Sequence, residues 1–263
     1  MSITIHTPLA RDRLRRAGQV AAMTLQTVTR KVRPGTTTAD IDAWVREDTA
    51  ARGGKPSQLG YQGFPASVCT SRNHVVCHGI PSPNDVLTEG DIVNVDVTTE
   101  LDGYHGDTST MVFVGEPSKD AAHVVEIARR CRAAGISVVR EGARIGDIGA
   151  AIVEVARAGG CSVVSDFGGH GIGRKMHEAP HVGYVGVRGQ GTRLKAGMAI
   201  TIEPMVNLGG AAVRLAADGW TVVTADGSLS AQFEHTVFVT KDGCEIMTEL
   251  VTPLRHALDE ASA

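Results

Sequence analysis

Aromatic side chains are scarce. Phe, Trp and Tyr together make up 4% of the 263 residues, too few for the stacking platforms that hold single-stranded nucleic acid. Basic residues do not dominate either: 26 Lys and Arg face 29 Asp and Glu, for a net charge of −3. Arg11, Arg13, Arg15 and Arg16 interleave with apolar residues and read as a solvated helix face, with no nucleic-acid specificity implied. No run approaches the roughly 18 apolar residues of a membrane span. The N-terminus MSITIHTPLA lacks the charged and apolar regions of a signal peptide. Five cysteines, at 69, 77, 131, 161 and 244, form an odd set without a C-x-x-C pair. Disulfide scaffolds and zinc knuckles are therefore not expected, and a reducing, cytoplasmic setting is.

What remains is an ordinary globular composition, 42% hydrophobic and 21% charged, long enough to bury its own core. Leu14, Ala17, Ala21, Leu25 and Val28 recur at helical spacing and predict a helix over 8–30. Pro34-Gly35 stops it. Thr37-Thr38 with Asp40 offers a capped start for a second helix, with Ile41 and Trp44 facing inward and Gly53-Gly54 as its end. β-rich runs follow at 92–95 and 111–114. Two more helices are predicted over 118–138 and 145–158, then strands over 161–248.

The order helices, strands, helices, strands is accompanied by an internal repeat. Residues 87–96 and 194–203 both read L-x-x-G-x-x-[IV]-x-[IV]-[DE], ending at Asp96 and Glu203. A carboxylate that closes an apolar strand is costly unless it is paired or bound to a metal. The halves are expected at roughly 8–115 and 118–248, within a single catalytic domain spanning 1–263.

Asp102-Gly103 is a strong two-residue hairpin signal. A turn centred there sets residue 96 opposite 109, so Asp107 shares the face of Asp96 as its diagonal neighbour, with Cα atoms about 7–8 Å apart. Carboxylates at that spacing can close on metal ions about 3.5–4 Å apart, although an exposed hairpin face would also carry two solvated Asp residues. Glu203 and Glu234 are further carboxylates beside apolar strands. His170 stands among Gly168, Gly169, Gly171 and Gly173, a density that suits a ligand-bearing loop with positive φ or close backbone approach. The glycines do not open a helix after a strand, so a phosphate cradle is disfavoured. His78 and His177 complete the candidates. Cys77 reads as a buried structural thiol, on the opposite face from His78.

Taken in order, Cys77-His78-Gly79-Ile80-Pro81, the Asp96 and Asp107 pair, Gly169 to Gly173, Met176 to Pro180, Thr201 to Pro204 and Gln232 to Thr236 resemble type I methionine aminopeptidase, in its short bacterial form, over nearly the whole chain. The resemblance implies an α+β pita-bread fold, two pseudo-symmetric halves with a curved antiparallel sheet inside and helices outside. It implies that Asp96, Asp107, His170, Glu203 and Glu234 hold two divalent ions (Co, Mn, Fe or Zn), with Asp107 and Glu234 bridging. Glu203 would also act as general acid–base toward a metal-activated water, and His78 and His177 would contact substrate and transition state. The methionine pocket would comprise Tyr61, Phe64, Cys69, His78, His177 and Trp220. Gln58, Phe64 and Met176 depart from the Cys, Tyr and Phe common in bacterial members. A monovalent cation would sit near Asn73, Val75 and Ser230. The implied activity removes N-terminal methionine from nascent proteins when the second residue is small, by a cytoplasmic monomer. Transient ribosome association would suit that activity, though no motif demonstrates it. A prolidase or aminopeptidase P of the same fold is the nearest rival, disfavoured because those carry a large N-terminal domain. A non-catalytic relative would have lost some of the five ligand positions.

Overall fold

The computed structural model describes residues 2–250; residue 1 and residues 251–263 of the expected domain lie outside the described residues. Helix α1 (Pro8–Thr29) begins with Pro8 at its first position behind the Thr7 cap, where a missing N–H costs nothing. Helix α2 (Thr38–Ala51) starts in a full capping box, in which Thr37 and Asp40 exchange side-chain and backbone bonds. The short strands β1 (Lys55–Pro56), β2 (Cys69–Arg72) and β3 (Val75–Cys77) precede a long hairpin, β4 (Ile92–Leu101) and β5 (Tyr104–Phe113). Helices α3 (Lys119–Ser137) and α4 (Ile145–Ala158) follow. Then come β6 (Ser162–Val163), β7 (Gly168–Gly171), β8 (Glu178–Gly183), β9 (Ala199–Ile202) and β10 (Met205–Asn207). The chain continues through β11 (Val213–Leu215), β12 (Val222–Thr224), β13 (Ser230–Gln232), β14 (Glu234–Val239) and β15 (Cys244–Ile246). No helix among the described residues is long and apolar enough to cross a membrane.

The main sheet is antiparallel and runs β1-β4-β5-β14-β9-β7-β8, with β2 also on β4 and β15 on β14. Its helix-facing side is apolar. Val93, Val95 and Val97 of β4 pack with Ala21, Leu25 and Val28 of α1 and Ile41 and Val45 of α2. Ile200 and Ile202 of β9 pack with Val124, Ile127, Ile148 and Ile152 of α3 and α4. The opposite side carries Asn94, Asp96 and Thr98, by the alternation of a strand. Both faces of β4 are covered, which is why burial along it does not alternate. Helix α1 lies directly on β5: a Cβ on Gly106 would stand 2.4 Å from the Cα of Gly18. Close packing of this kind tolerates no added methyl.

The two halves repeat in detail. Gly90 and Gly197 both take left-handed φ, +90° and +94°, a conformation open chiefly to glycine. Their N–H groups donate to Val114 O at 2.8 Å and Val239 O at 2.9 Å. Gly35 N–H donates to Leu87 O at 2.8 Å, and Gly142 N–H to Leu194 O at 3.0 Å. Leu87 and Leu194 are fully buried. Strands β4 and β5 of the first half thus meet β14 and β9 of the second at one seam, where Glu234 pairs with Ser109.

The arginines of α1 are not a bare solvated face. Arg11 and Arg15 both grip Glu245 of β15, with Arg11 Nε 2.7 Å from Oε2. Arg16 reaches Asp102 in the hairpin turn at 3.0 Å. They tie the helix to β15 and to the β4–β5 turn, which helical periodicity alone could not reveal.

Candidate metal centre

Five neighbouring positions of the main sheet each supply one side chain to its concave face: Asp96 from β4, Asp107 from β5, Glu234 from β14, Glu203 just past β9, and His170 from β7. The β4–β5 register sets Asp96 opposite Ser109 and Asp107 opposite Thr98, the pairing that the Asp-Gly turn predicts. Asp96 is not at a strand end as the repeat suggested, since β4 runs on to Leu101. Glu203 does directly follow its strand.

His170 sits on a strand and not on a loop, and none of the glycines at 168, 169, 171 and 173 has positive φ. Their role is close approach. A Cβ on Gly169 would lie 2.3 Å from Tyr184 Oη and 2.4 Å from Thr201 O, and one on Gly171 2.2 Å from Ala179 O. His170 N–H donates to Thr201 Oγ1 at 3.0 Å. Its Nδ1 faces Gly171 O at 3.0 Å; a carbonyl only accepts, so Nδ1 carries the proton and Nε2 presents a lone pair. Nε2 lies 3.7 Å from Asp107 Oδ2 and from Glu203 Oε1. One ligand atom each from Asp107, His170 and Glu234 falls within 4.8 Å of the others.

Electrostatics describe a site made for cations. Burial raises all four carboxyl groups, Asp107 to about 7 and Glu203 to about 8, with Asp96 and Glu234 well above their ordinary values. The negative charge of Asp107 adds to the rise of Glu203, Asp96 and Glu234. Burial pushes the His170 imidazole down to about 3, so it is neutral and able to bind metal. Some carboxylate oxygens are satisfied: Thr98 Oγ1 donates to Asp107 at 2.6 Å, Thr201 Oγ1 to Glu203 at 2.6 Å, and Gln232 Nε2 to Glu203 at 3.2 Å. Asp96 Oδ1 and Glu234 Oε1 are buried without a partner among the described residues. Among the described residues, no Lys or Arg lines the surrounding cavity. Four carboxylates, two orphaned oxygens and a neutral imidazole fit divalent metal, because only a cation offsets that desolvation.

The cavity measures about 330 Å³, and Tyr61, Phe64, Cys69, His78, His177 and Trp220 all line it with the five polar groups. Phe64 and Trp220 meet edge to face at 5.2 Å, and His78 stands 6.4 Å from Trp220. His177 lies 4.1 Å from the His170 ring and 5.0 Å from Tyr61. His78 has φ +55°, a strained conformation for a residue with a Cβ, and burial lowers its pKa. Cys77, one residue before, is buried in a separate apolar cluster. Met176 and Gln58 also reach the cavity. Asn73 and Ser230 lie apart from it, joined by Ser230 N–H donating to Asn73 O at 2.9 Å, while Val75 opens β3.

Sequence reading missed Thr98 and Thr201 as supports for the carboxylates. Each lies two residues from one end of the repeat motif, on the same strand face, and that spacing was the available signal.

The model of metallopeptidase family M24 matches residues 12–241. Methionine aminopeptidase A of Synechocystis sp. is 50% identical over 247 residues, 94% of this chain and 98% of its own. The chain belongs to the type I methionine aminopeptidase branch of family M24. As a member of that family it superposes on the crystal structure of methionine aminopeptidase from Rickettsia prowazekii with TM-score 0.93 at 47% identity, covering 94% of this chain and all of the other. A prolidase from Pyrococcus furiosus shares the pita-bread fold alone, with TM-score 0.74 at 19% identity over 94% of this chain and 66% of its own.

Proposed function

We propose that this chain is a metal-dependent aminopeptidase that removes N-terminal methionine when a small residue follows. One observation carries the reading: the carboxylates and the imidazole of five sheet positions converge beside an apolar recess formed by Phe64, Trp220 and Met176. A thioether suits such an aromatic, sulfur-lined wall. Gln58, Phe64 and Met176 alter the wall without making it polar throughout, and methionine selectivity is expected to persist.

In this reading Asp96, Asp107, His170, Glu203 and Glu234 would hold two divalent ions. The oxygen-rich set accepts Mn, Fe, Co or Zn. When bound, such ions supply Lewis acidity at the scissile carbonyl and lower the pKa of water. The chain's own groups do the rest. Glu203, held by Thr201 and Gln232, takes the nucleophile's proton and returns it to the leaving amine. His177 donates to the developing oxyanion, and His78 holds the peptide beside the scissile bond. Asn73, Val75 and Ser230 would hold a monovalent cation, supported by a buried Ser230 Oγ without a partner among the described residues. We read the chain as a single catalytic unit and a cytoplasmic monomer, and transient ribosome association would suit its activity.

Purified protein with Mn(II) or Co(II) is expected to cleave Met-Gly-Met-Met and to leave Xaa-Pro peptides intact. The reverse preference would assign it to the prolidase side of the fold.

A further inference from the structure

Among the described residues, one strip of the outer edge of β4 has no strand beside it. Strand β2 pairs with residues 93–96, ending with Cys69 opposite Asp96. Strand β1 pairs with Thr99 and Glu100. Between them the carbonyl of Asp96 and the N–H of Thr98 face a gap, and buried backbone groups left unpaired there would be destabilising. The side chain of Gln58 fills it. Its Nε2 donates to Asp96 O at 2.8 Å, and its Oε1 accepts from Thr98 N–H at 3.2 Å. Ser57 N–H completes the ladder by donating to Thr98 O at 2.9 Å. A primary amide carries the donor and the acceptor of a peptide unit, so Gln58 takes the place of one residue of a missing strand. It is 6% exposed.

The second half does the same for its equivalent carboxylate. Tyr184 Oη, fully buried, accepts from Glu203 N–H at 2.8 Å. Gln232 Nε2 donates to Glu203 O at 3.2 Å. Asp96 and Glu203 thus each have their own peptide groups clamped by a side chain, where neighbouring strands leave them uncovered.

We propose that Gln58 is a positioning residue for Asp96: its amide fixes the main chain over 96–98, and so the direction in which the Asp96 carboxylate meets a divalent cation. This rests on the metal-site reading given above. A Gln58 that served only as cavity wall would act on substrate fit alone.

Gln58→Met keeps the length of the side chain and removes both polar contacts. Metal-free wild-type and variant proteins, each shown to unfold cooperatively, are titrated with Mn(II) by calorimetry. The expected result is a Kd about tenfold higher in the variant, the lower end of what outer-sphere changes do to metal affinity. With metal restored, kcat for Met-Gly-Met-Met should fall with little change in KM. Amide exchange at Thr98 should accelerate in the variant while Val93 and Val95 keep their protection. An unchanged Kd, or a rise in KM alone, overturns the positioning role and leaves the metal site standing. Failure of the wild-type protein to bind Mn(II) overturns both. Should the variant not fold, the wild-type Thr98 amide decides: slow exchange supports the clamp, and exchange at the rate of an unpaired amide overturns it.

Discussion

Nε2 of His170 stands 3.7 Å from Oδ2 of Asp107, and its other ring nitrogen is committed to the carbonyl of Gly171. The imidazole is therefore fixed in the tautomer that offers a lone pair to the carboxylate cluster. In the proposed metal site, His170→Ala removes the neutral nitrogen from a set of carboxylates. Metal affinity and kcat/KM on a Met-Gly peptide are each expected to fall by at least about 100-fold, more than outer-sphere substitutions cost. Calorimetric titration with Mn(II) and steady-state kinetics check both. Activity within a few-fold of wild type would remove His170 from the site.

Stability should respond to pH with a sign set by the carboxyl groups. Asp107 titrates at about 7 and Glu203 at about 8 in the folded protein, against about 4 in an unfolded chain. Above their unfolded values the native state binds more protons, so stability falls with rising pH until the folded pKa is passed. Buried neutral histidines such as His170 and His235, both lowered to about 3, act oppositely, but only up to about pH 6.5. Between about pH 6.5 and 8 the carboxyls decide. The Tm of chelator-treated protein should drop across that window, less steeply in Glu203→Gln. Divalent metal should reverse the trend, because ligation requires the deprotonated groups. A flat profile without metal would refute the assignment.

Gly106 of β5 touches Gly18 of α1 with no room for a methyl. Gly106→Ala should destabilise by about 1–3 kcal/mol, the usual cost of overpacking. Urea unfolding measures it, and a loss below about 0.5 kcal/mol would mean that the helix can lift without penalty.

Gly169→Ala tests the close approach beside His170. Its Cβ would collide with Tyr184 Oη and Thr201 O, the groups that seat Glu203 and the neighbouring strand. Catalysis is expected to fall more than stability, by about 100-fold in kcat, since misplacement near 1 Å can cost that much. Equal kcat with a lowered Tm would show a purely structural glycine.

Leu87→Ala and Leu194→Ala should cost similar amounts, about 2–5 kcal/mol each, because both are fully buried at equivalent positions of the repeat. Unequal losses, one small and one large, would show that the halves are not energetically alike.

Local chemistry was legible in the chain itself. Proline, the capping box and glycine stops set α1 and α2 almost to the residue, because caps act within one turn. Asp102-Gly103 fixed the hairpin register and so the shared face of Asp96 and Asp107, because strand periodicity is strictly two. The ten-residue repeat marked Asp96 and Glu203 as partners. Three things needed the folded chain. The strand order β5-β14-β9-β7 brings carboxylates from both halves to one cavity, and no local pattern encodes pairing across a seam. The glycines around His170 proved to serve strand packing and not positive φ, which depends on what lies against them. Gln58 looked like a pocket substitution and turned out to complete the edge of β4, because its value lies in two backbone groups that only tertiary structure leaves unpaired.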